Sequence, residues 1–260
     1  MPMVKTRPND NTALPSLAFN NSAEYKPNSH VIEAIVNDSL IITLKNNDNI
    51  SHRFSIQNTE VSNIEINSQS TIIIRTKLKE WGCYIYYDPL DMPKNSYLGL
   101  GGILAVAQNN KAIKPYFWNI KTHSINFNRE LALNNSVDWL TFYPDYYTLN
   151  ALSYPSSILD ETSSITAKFN DTIHIYMANT GIAEHVIHFH GYHCKVLQTN
   201  KNKKQIGYSK DSFPLEPMQG TVLELVLYNK GKYPVHDHNL LAMTGNKIHP
   251  YGMLVLIDVK

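Results

Sequence analysis

Cysteine is scarce: the 260 residues hold two, Cys83 and Cys194. Two thiols in a chain of this length exclude a disulfide framework. Both lie in apolar, strand-like surroundings and read as buried free thiols, so cysteine usage leaves the redox compartment open. An excess of one charge sign is missing too. The formal net charge is +1, and the one basic run, Lys201 to Lys204, is broken by Asn202 and reads as a solvated hairpin tip. Nucleic-acid binding driven by a basic surface is thereby excluded. No stretch approaches the roughly 20 apolar residues of a membrane helix, so no membrane span is expected. The segment Met1-Pro2-Met3-Val4-Lys5-Thr6-Arg7-Pro8 lacks the apolar core of a signal peptide; a trimmed leader would leave the same trace. Helix formers are few, whereas Ile, Val, Thr and 16 Tyr are plentiful, a bias toward strands.

What is present is a rhythm. Apolar content of 43% supports a core, and short strand-type runs return at roughly 8–12-residue spacing with turn residues between them, as in sandwiches and barrels. The rhythm also repeats. Val31–Val36, an Asn37-Asp38 turn, Ser39–Leu44 and an Asn-rich turn precede a strand opening at His52. Ile165–Phe169, an Asn170-Asp171 turn, Thr172–Met177 and Asn179-Thr180-Gly181 precede a strand opening at His185. A later strand leads in each half to Gly82-Cys83-Tyr84-Ile85-Tyr86 or Gly231-Lys232-Tyr233-Pro234-Val235. The expectation is an all-β chain of two tandem Greek-key β-sandwiches: an arm over 1–29, a first domain over 30–114, and a second over 115–260, with helix confined to short turns. Gln108 to Asp145 reads as the connection. It holds a break at Asn109-Asn110-Lys111, a strand at Tyr116–Ile120, and a helical turn or strand at Arg129–Leu133.

Four of the 11 histidines fall within ten residues, at His185, His188, His190 and His193, and a second group follows at His236 and His238. On an extended backbone, side chains two apart share a face. His188 and His190 then point one way, and so do His236 and His238. If the two strands are neighbours, four imidazoles converge on one patch, a donor set suited to copper or zinc. His185 and Asp237 have the opposite parity and face inward. His30, His123 and His174 carry no motif and read as surface residues, and His193 as structural. His52 reads as a core or interface histidine without partners.

The run His185-x-x-His188-x-His190-Gly191-x-His193, then His236-x-His238, then Gly252-Met253, resembles the last domain of a multicopper oxidase. The chain is about as long as the two-domain members, copper nitrite reductases and two-domain laccases. The resemblance covers residue 30 to the end and is specific in the second half. It implies that each half is a cupredoxin sandwich, that the chain forms a homotrimer with copper inside domains and at subunit contacts, and that it is periplasmic or extracellular. It matches His188 to a type 2 copper ligand, His190, His236 and His238 to type 3 ligands, and His185 and Met253 to the type 1 (blue) site. The chain departs from the family where Asp237 stands in place of the cysteine of His-Cys-His, which removes the thiolate a blue site depends on. His249 lies one residue too near Met253 for the second type 1 histidine. In the first half Ser55, Gln57 and Tyr87 occupy positions where copper histidines are expected.

Two functions follow. One is an oxidoreductase with a histidine-bound copper centre and no blue copper, acting on a small-molecule or metal-ion substrate. The other is a non-catalytic protein that holds copper or zinc for sequestration, delivery or structure. In either, a buried Asp237 needs a partner, and His185 is the nearest candidate. A direct His185–Asp237 hydrogen bond is expected where copper would have been.

Overall fold

A computed structural model describes residues 3–5, 13–22, 24–109 and 113–260, with residues 3–5 described at the backbone only. Much of the expected N-terminal arm, and Asn110 and Lys111 of the expected break, lie outside the described residues. The chain is all-β and cupredoxin-like, and the duplication is explicit in its sheet order.

In the first half a five-stranded sheet runs Ile32–Ile35, Gly101–Ala107, Gly82–Tyr87, His52–Ile56, Ile64–Ile66, and it faces a ladder of Ser39–Lys45 with Thr71–Lys77. In the second half a five-stranded sheet runs Ile165–Ala167, Leu254–Val259, Gly231–Asp237, His185–Phe189, Ser212–Leu215. Facing it, Thr172–Asn179 pairs with Gly220–Val226 inside a six-stranded sheet. In each five-stranded sheet the strand that comes first in sequence pairs in parallel with the one that comes last, and the other pairings match position for position. Alternation explains the packing: Leu40, Ile42 and Leu44 turn inward onto Phe54, Ile56 and Tyr86, while Ile41 and Ile73 stay exposed. Trp118, Ile175, Ile187, Phe189, Leu223 and Val255 fill the second core.

The halves meet along a seam. Cys83, Ile85, Ile103 and Ala105, from the outer face of the first five-stranded sheet, lie against Tyr176, Ala178 and Val222 on the outer face of the six-stranded sheet. The approach is close enough that a Cβ on Gly220 would stand 2.1 Å from the Cys83 carbonyl oxygen. Both cysteines are buried and free, as expected.

The segment read as a connection is structural instead. Lys114–His123 forms one strand, parallel to Thr172–Asn179 and antiparallel to Tyr146–Leu149, and Ile125–Ala132 is a helix. His123, read as a surface residue, is 5% exposed. Sequence parity could not show this, because the strand is covered on both faces. Burial lowers the His123 pKa to about 3, helped by neighbouring Lys121, whose own pKa burial lowers to about 7.

Candidate metal centre

The centre is built on two antiparallel neighbours, His185–Phe189 and Gly231–Asp237. Their register pairs Ile187 with Asp237, His188 with His236, and Phe189 with Val235. Ile187, Phe189 and Val235 fill the core, so the pleat turns His188, His190, His236 and His238 to the outer face. All four outward histidines meet there. The His188 ring centroid lies 4.8 Å from that of His190, 5.7 Å from His236 and 5.5 Å from His238. His190 leaves the strand just before Gly191, whose φ of +71° and closeness to the Tyr233 ring (2.5 Å from a Cβ placed there) admit only glycine.

Hydrogen bonds fix two of the ring tautomers. The Ser212 hydroxyl donates to Asp211 Oδ1 at 3.0 Å, so its oxygen accepts from His188 Nδ1 at 2.9 Å. His236 Nδ1–H donates to the Asp237 carbonyl at 2.7 Å. Both rings therefore carry their lone pair at Nε2. His190 Nε2 donates to His236 Nε2 at 2.8 Å. The His190 pKa is lowered, first by burial and then by His236 and His188, which favours its neutral, lone-pair-bearing form.

His185 lies across the sheet from this cluster. It is 1% exposed, and its Nδ1–H donates to Asp237 Oδ2 at 2.6 Å. Asp237 Oδ1 also accepts from the amides of Val186 at 3.3 Å and Asn239 at 2.9 Å. The expected His185–Asp237 bond is present. Met253 is buried beneath this region, whereas His249 is exposed.

The first half holds a second clasp that the sequence reading missed. His52, read as having no partners, donates from Nδ1 to Asp88 Oδ2 at 2.7 Å. Asp88 Oδ1 accepts from the amides of Arg53 at 3.2 Å and Leu90 at 2.8 Å, and Asn95 Nδ2 donates to Oδ2 at 2.9 Å. This is the His185–Asp237 pattern with two bonds added, from Asn95 to Asp88 and from His52 Nε2 to Asp48 Oδ2 at 3.3 Å. The His52 pKa is raised, chiefly by the Asp88 hydrogen bond against the opposing effect of burial. The clue was available, since Tyr87-Asp88-Pro89 overlays His236-Asp237-His238 when the two halves are aligned on His52 and His185.

The donor chemistry of the outward cluster fits copper: four imidazoles, two held at Nδ1 from behind. Their arrangement is not closed. Among the described residues no three His, Cys, Asp or Glu side chains are already disposed to hold one ion. Two nitrogens bound to one ion at about 2.0–2.1 Å each in tetrahedral geometry stand roughly 3.4 Å apart. The 2.8 Å His190–His236 contact must therefore open on binding.

Residues 128–250 match the multicopper oxidase family model. A 98-residue stretch is 32% identical to multicopper oxidase mco of Staphylococcus epidermidis, and the match spans 37% of this chain and 22% of that protein. A blue copper oxidase from Nitrosomonas europaea superposes with a TM-score of 0.83 at 18% identity, over 99% of this chain and 83% of that one. A copper nitrite reductase from the same organism superposes at 0.70 with 17% identity, over 90% and 83%. At such identities the structural likeness establishes the fold.

Proposed function

We propose, from the match of residues 128–250 to the multicopper oxidase family model and the partial match to a multicopper oxidase, that the chain is a member of that family, holds copper through His188, His190, His236 and His238, and acts as an oxidoreductase without a blue copper centre. The observation that carries this reading is the convergence of four imidazoles on one outer sheet face, two of them held at Nδ1 with Nε2 left to coordinate. A copper ion bound there supplies one-electron chemistry. The Asp211–Ser212–His188 relay and the Asp237 carbonyl orient two rings, and His190 must break its bond to His236 to join them. His185 was expected among the ligands as well; its Nδ1 is held by Asp237 and its Nε2 is buried without a partner, but it faces the core side of the sheet, away from the other four, and we leave it outside the set. We place the boundary between the two sandwiches at residues 114 and 115.

The same duplication supports a head-to-tail homotrimer. In the first half, the face equivalent to the histidine face is covered by the second half: Gln57 donates to the Met218 carbonyl at 2.9 Å and accepts from Asn200 at 2.8 Å. Among the described residues the histidine face itself has no such cover; His190 and His238 are exposed. The ladder equivalent to the one that does the covering presents Ile41 and Ile73, 60% and 53% exposed. Repeating the intrachain contact between copies seats one chain's histidine face on the next chain's ladder, a heterologous contact that closes into a ring. Ile73→Glu should convert a species of three chains to one in light scattering; a monomeric parent chain would contradict the arrangement. The periplasm or the cell exterior is the compartment we assign, on family grounds. Among the described residues no helix is long and apolar enough to cross a membrane.

A second reading, copper or zinc held without turnover, is favoured by one observation. At the position matched to the family's thiolate both halves hold a clasped aspartate, Asp88 or Asp237, which offers no sulfur there to receive electrons. Oxygen consumption with a phenolic reductant, measured on copper-loaded protein with the metal quantified per chain, separates the two. Copper-dependent uptake supports the oxidoreductase. Full loading with no uptake assigns the holding role.

A further inference from the structure

Away from the histidine face, a cleft of about 720 Å³ opens at the edge of the seam between the halves. Its walls come from both: Glu33, Asp38 and Trp81 from the first, Phe117, His174, Tyr176 and Glu224 from the second. Three aromatic rings and three carboxylates share the space, and among the described residues no lysine or arginine lines it. Phe117 and Tyr176 lie with ring centroids 5.7 Å apart. Their position is set by alternation, because on Lys114–His123 and Thr172–Asn179 these residues face away from the second core.

One polar atom in the cleft is left over. His174 Nε2 is buried and has no hydrogen-bond partner. Glu224 Oε2 lies 3.7 Å away, too far for a hydrogen bond. Glu224 pairs in register with His174 on one side and Lys195 on the other, and the Lys195 side chain does not line the cleft. The Tyr176 pKa is raised mainly by burial, with a further push from the nearby Glu33 charge. Three carboxylates thus line the same cleft as three aromatic rings in a chain whose net charge is +1. π-Faces attract cations, and a cleft of one charge sign raises the local concentration of the opposite ion.

We propose that this cleft binds a small organic cation, an ammonium ion carrying an apolar body, with the body on Trp81, Phe117 and Tyr176 and the charge toward Glu33 and Glu224. A phosphate-bearing or carboxylate ligand is disfavoured by the same three carboxylates.

The test uses the full chain in isothermal titration, with benzyltrimethylammonium as probe and benzoate as its anionic comparator. The expected result is saturable binding of one benzyltrimethylammonium per chain that weakens as salt rises, and no saturable heat with benzoate. Glu33→Gln combined with Glu224→Gln keeps side-chain shape and should weaken the probe about tenfold, the scale of two partly screened charge contacts. Copper loading should be the same with and without the double substitution, so the outcome is independent of the histidine site. Absence of saturable binding to the parent chain, equal binding of benzoate, or an unchanged affinity in a folded double variant would each overturn the proposal.

Discussion

The two halves of this molecule share one clasp and differ in what surrounds it. Asp88 and Asp237 each bind an imidazole Nδ1, at 2.7 and 2.6 Å. Each accepts the amide one residue after that histidine, at 3.2 and 3.3 Å, and the amide two residues after itself, at 2.8 and 2.9 Å. Yet on the opposite face, where the second half presents His188, His190 and His236, the first half presents Ser55, Gln57 and Tyr87. The difference is one of parity. Inward residues tie two strands together and fix their register, whereas their outward neighbours are free to carry donors or to pack. The first half uses that freedom to build the seam with the second half. The second half uses it to gather imidazoles.

The most decisive way to break the comparison is to remove the outward donors. His188→Ala with His238→Ala should abolish stoichiometric copper binding measured by equilibrium dialysis, while Ser55→Ala with Gln57→Ala, at equivalent positions, leaves it intact. Unchanged binding in the first variant refutes the ligand assignment.

Removing the clasps tests what the halves share. Asp237→Ala strips the buried His185 of its acceptor and two amides of theirs. The expected loss is about 3 kcal/mol, a fall in Tm of roughly 6–12 °C in a chain of this size. Asp88→Ala removes one more hydrogen bond, from Asn95, and should cost about 1 kcal/mol beyond that. Asp237→Ala should retain most copper binding, because His236 is held by the residue 237 backbone carbonyl and not by its side chain. A Tm unmoved by both substitutions would show that the clasps do not secure the register.

The smallest effect sharpens the comparison through pH. The His52 pKa is raised in the folded chain, chiefly by Asp88. The stability contributed by its charged form is therefore fully present below the ordinary imidazole value near 6.5 and is lost as pH rises through the raised value. His52→Asn should cost on the order of 1 kcal/mol more at pH 5.5 than at pH 9. A penalty that is flat or grows with pH would show that His52 is not the charged partner.

Alternation made the second clasp readable in advance. With His188 and His190 outward, His185 had to face inward, and Asp237 had to meet it. The first clasp escaped because Tyr87 and Pro89 hide the frame that histidines reveal in the second half. The all-β class followed from the repeat of turns and strands. The role of Lys114–His123 did not, since a strand buried on both faces has no polar alternation, and the seam that covers its outer face is a tertiary contact. Nor could the sequence show how far the four imidazoles fall short of a closed shell. That depends on ring orientations set by Ser212 and the Asp237 carbonyl.

A copper(II) titration of the intact chain followed by electron paramagnetic resonance tests the central claim most directly. The expected result is a stoichiometric signal with imidazole nitrogen couplings, the wide copper hyperfine splitting of nitrogen and oxygen donors, and no thiolate charge-transfer colour. A narrow-splitting, intensely coloured thiolate centre would contradict it and direct attention to Cys83 or Cys194, and so would a titration that never saturates.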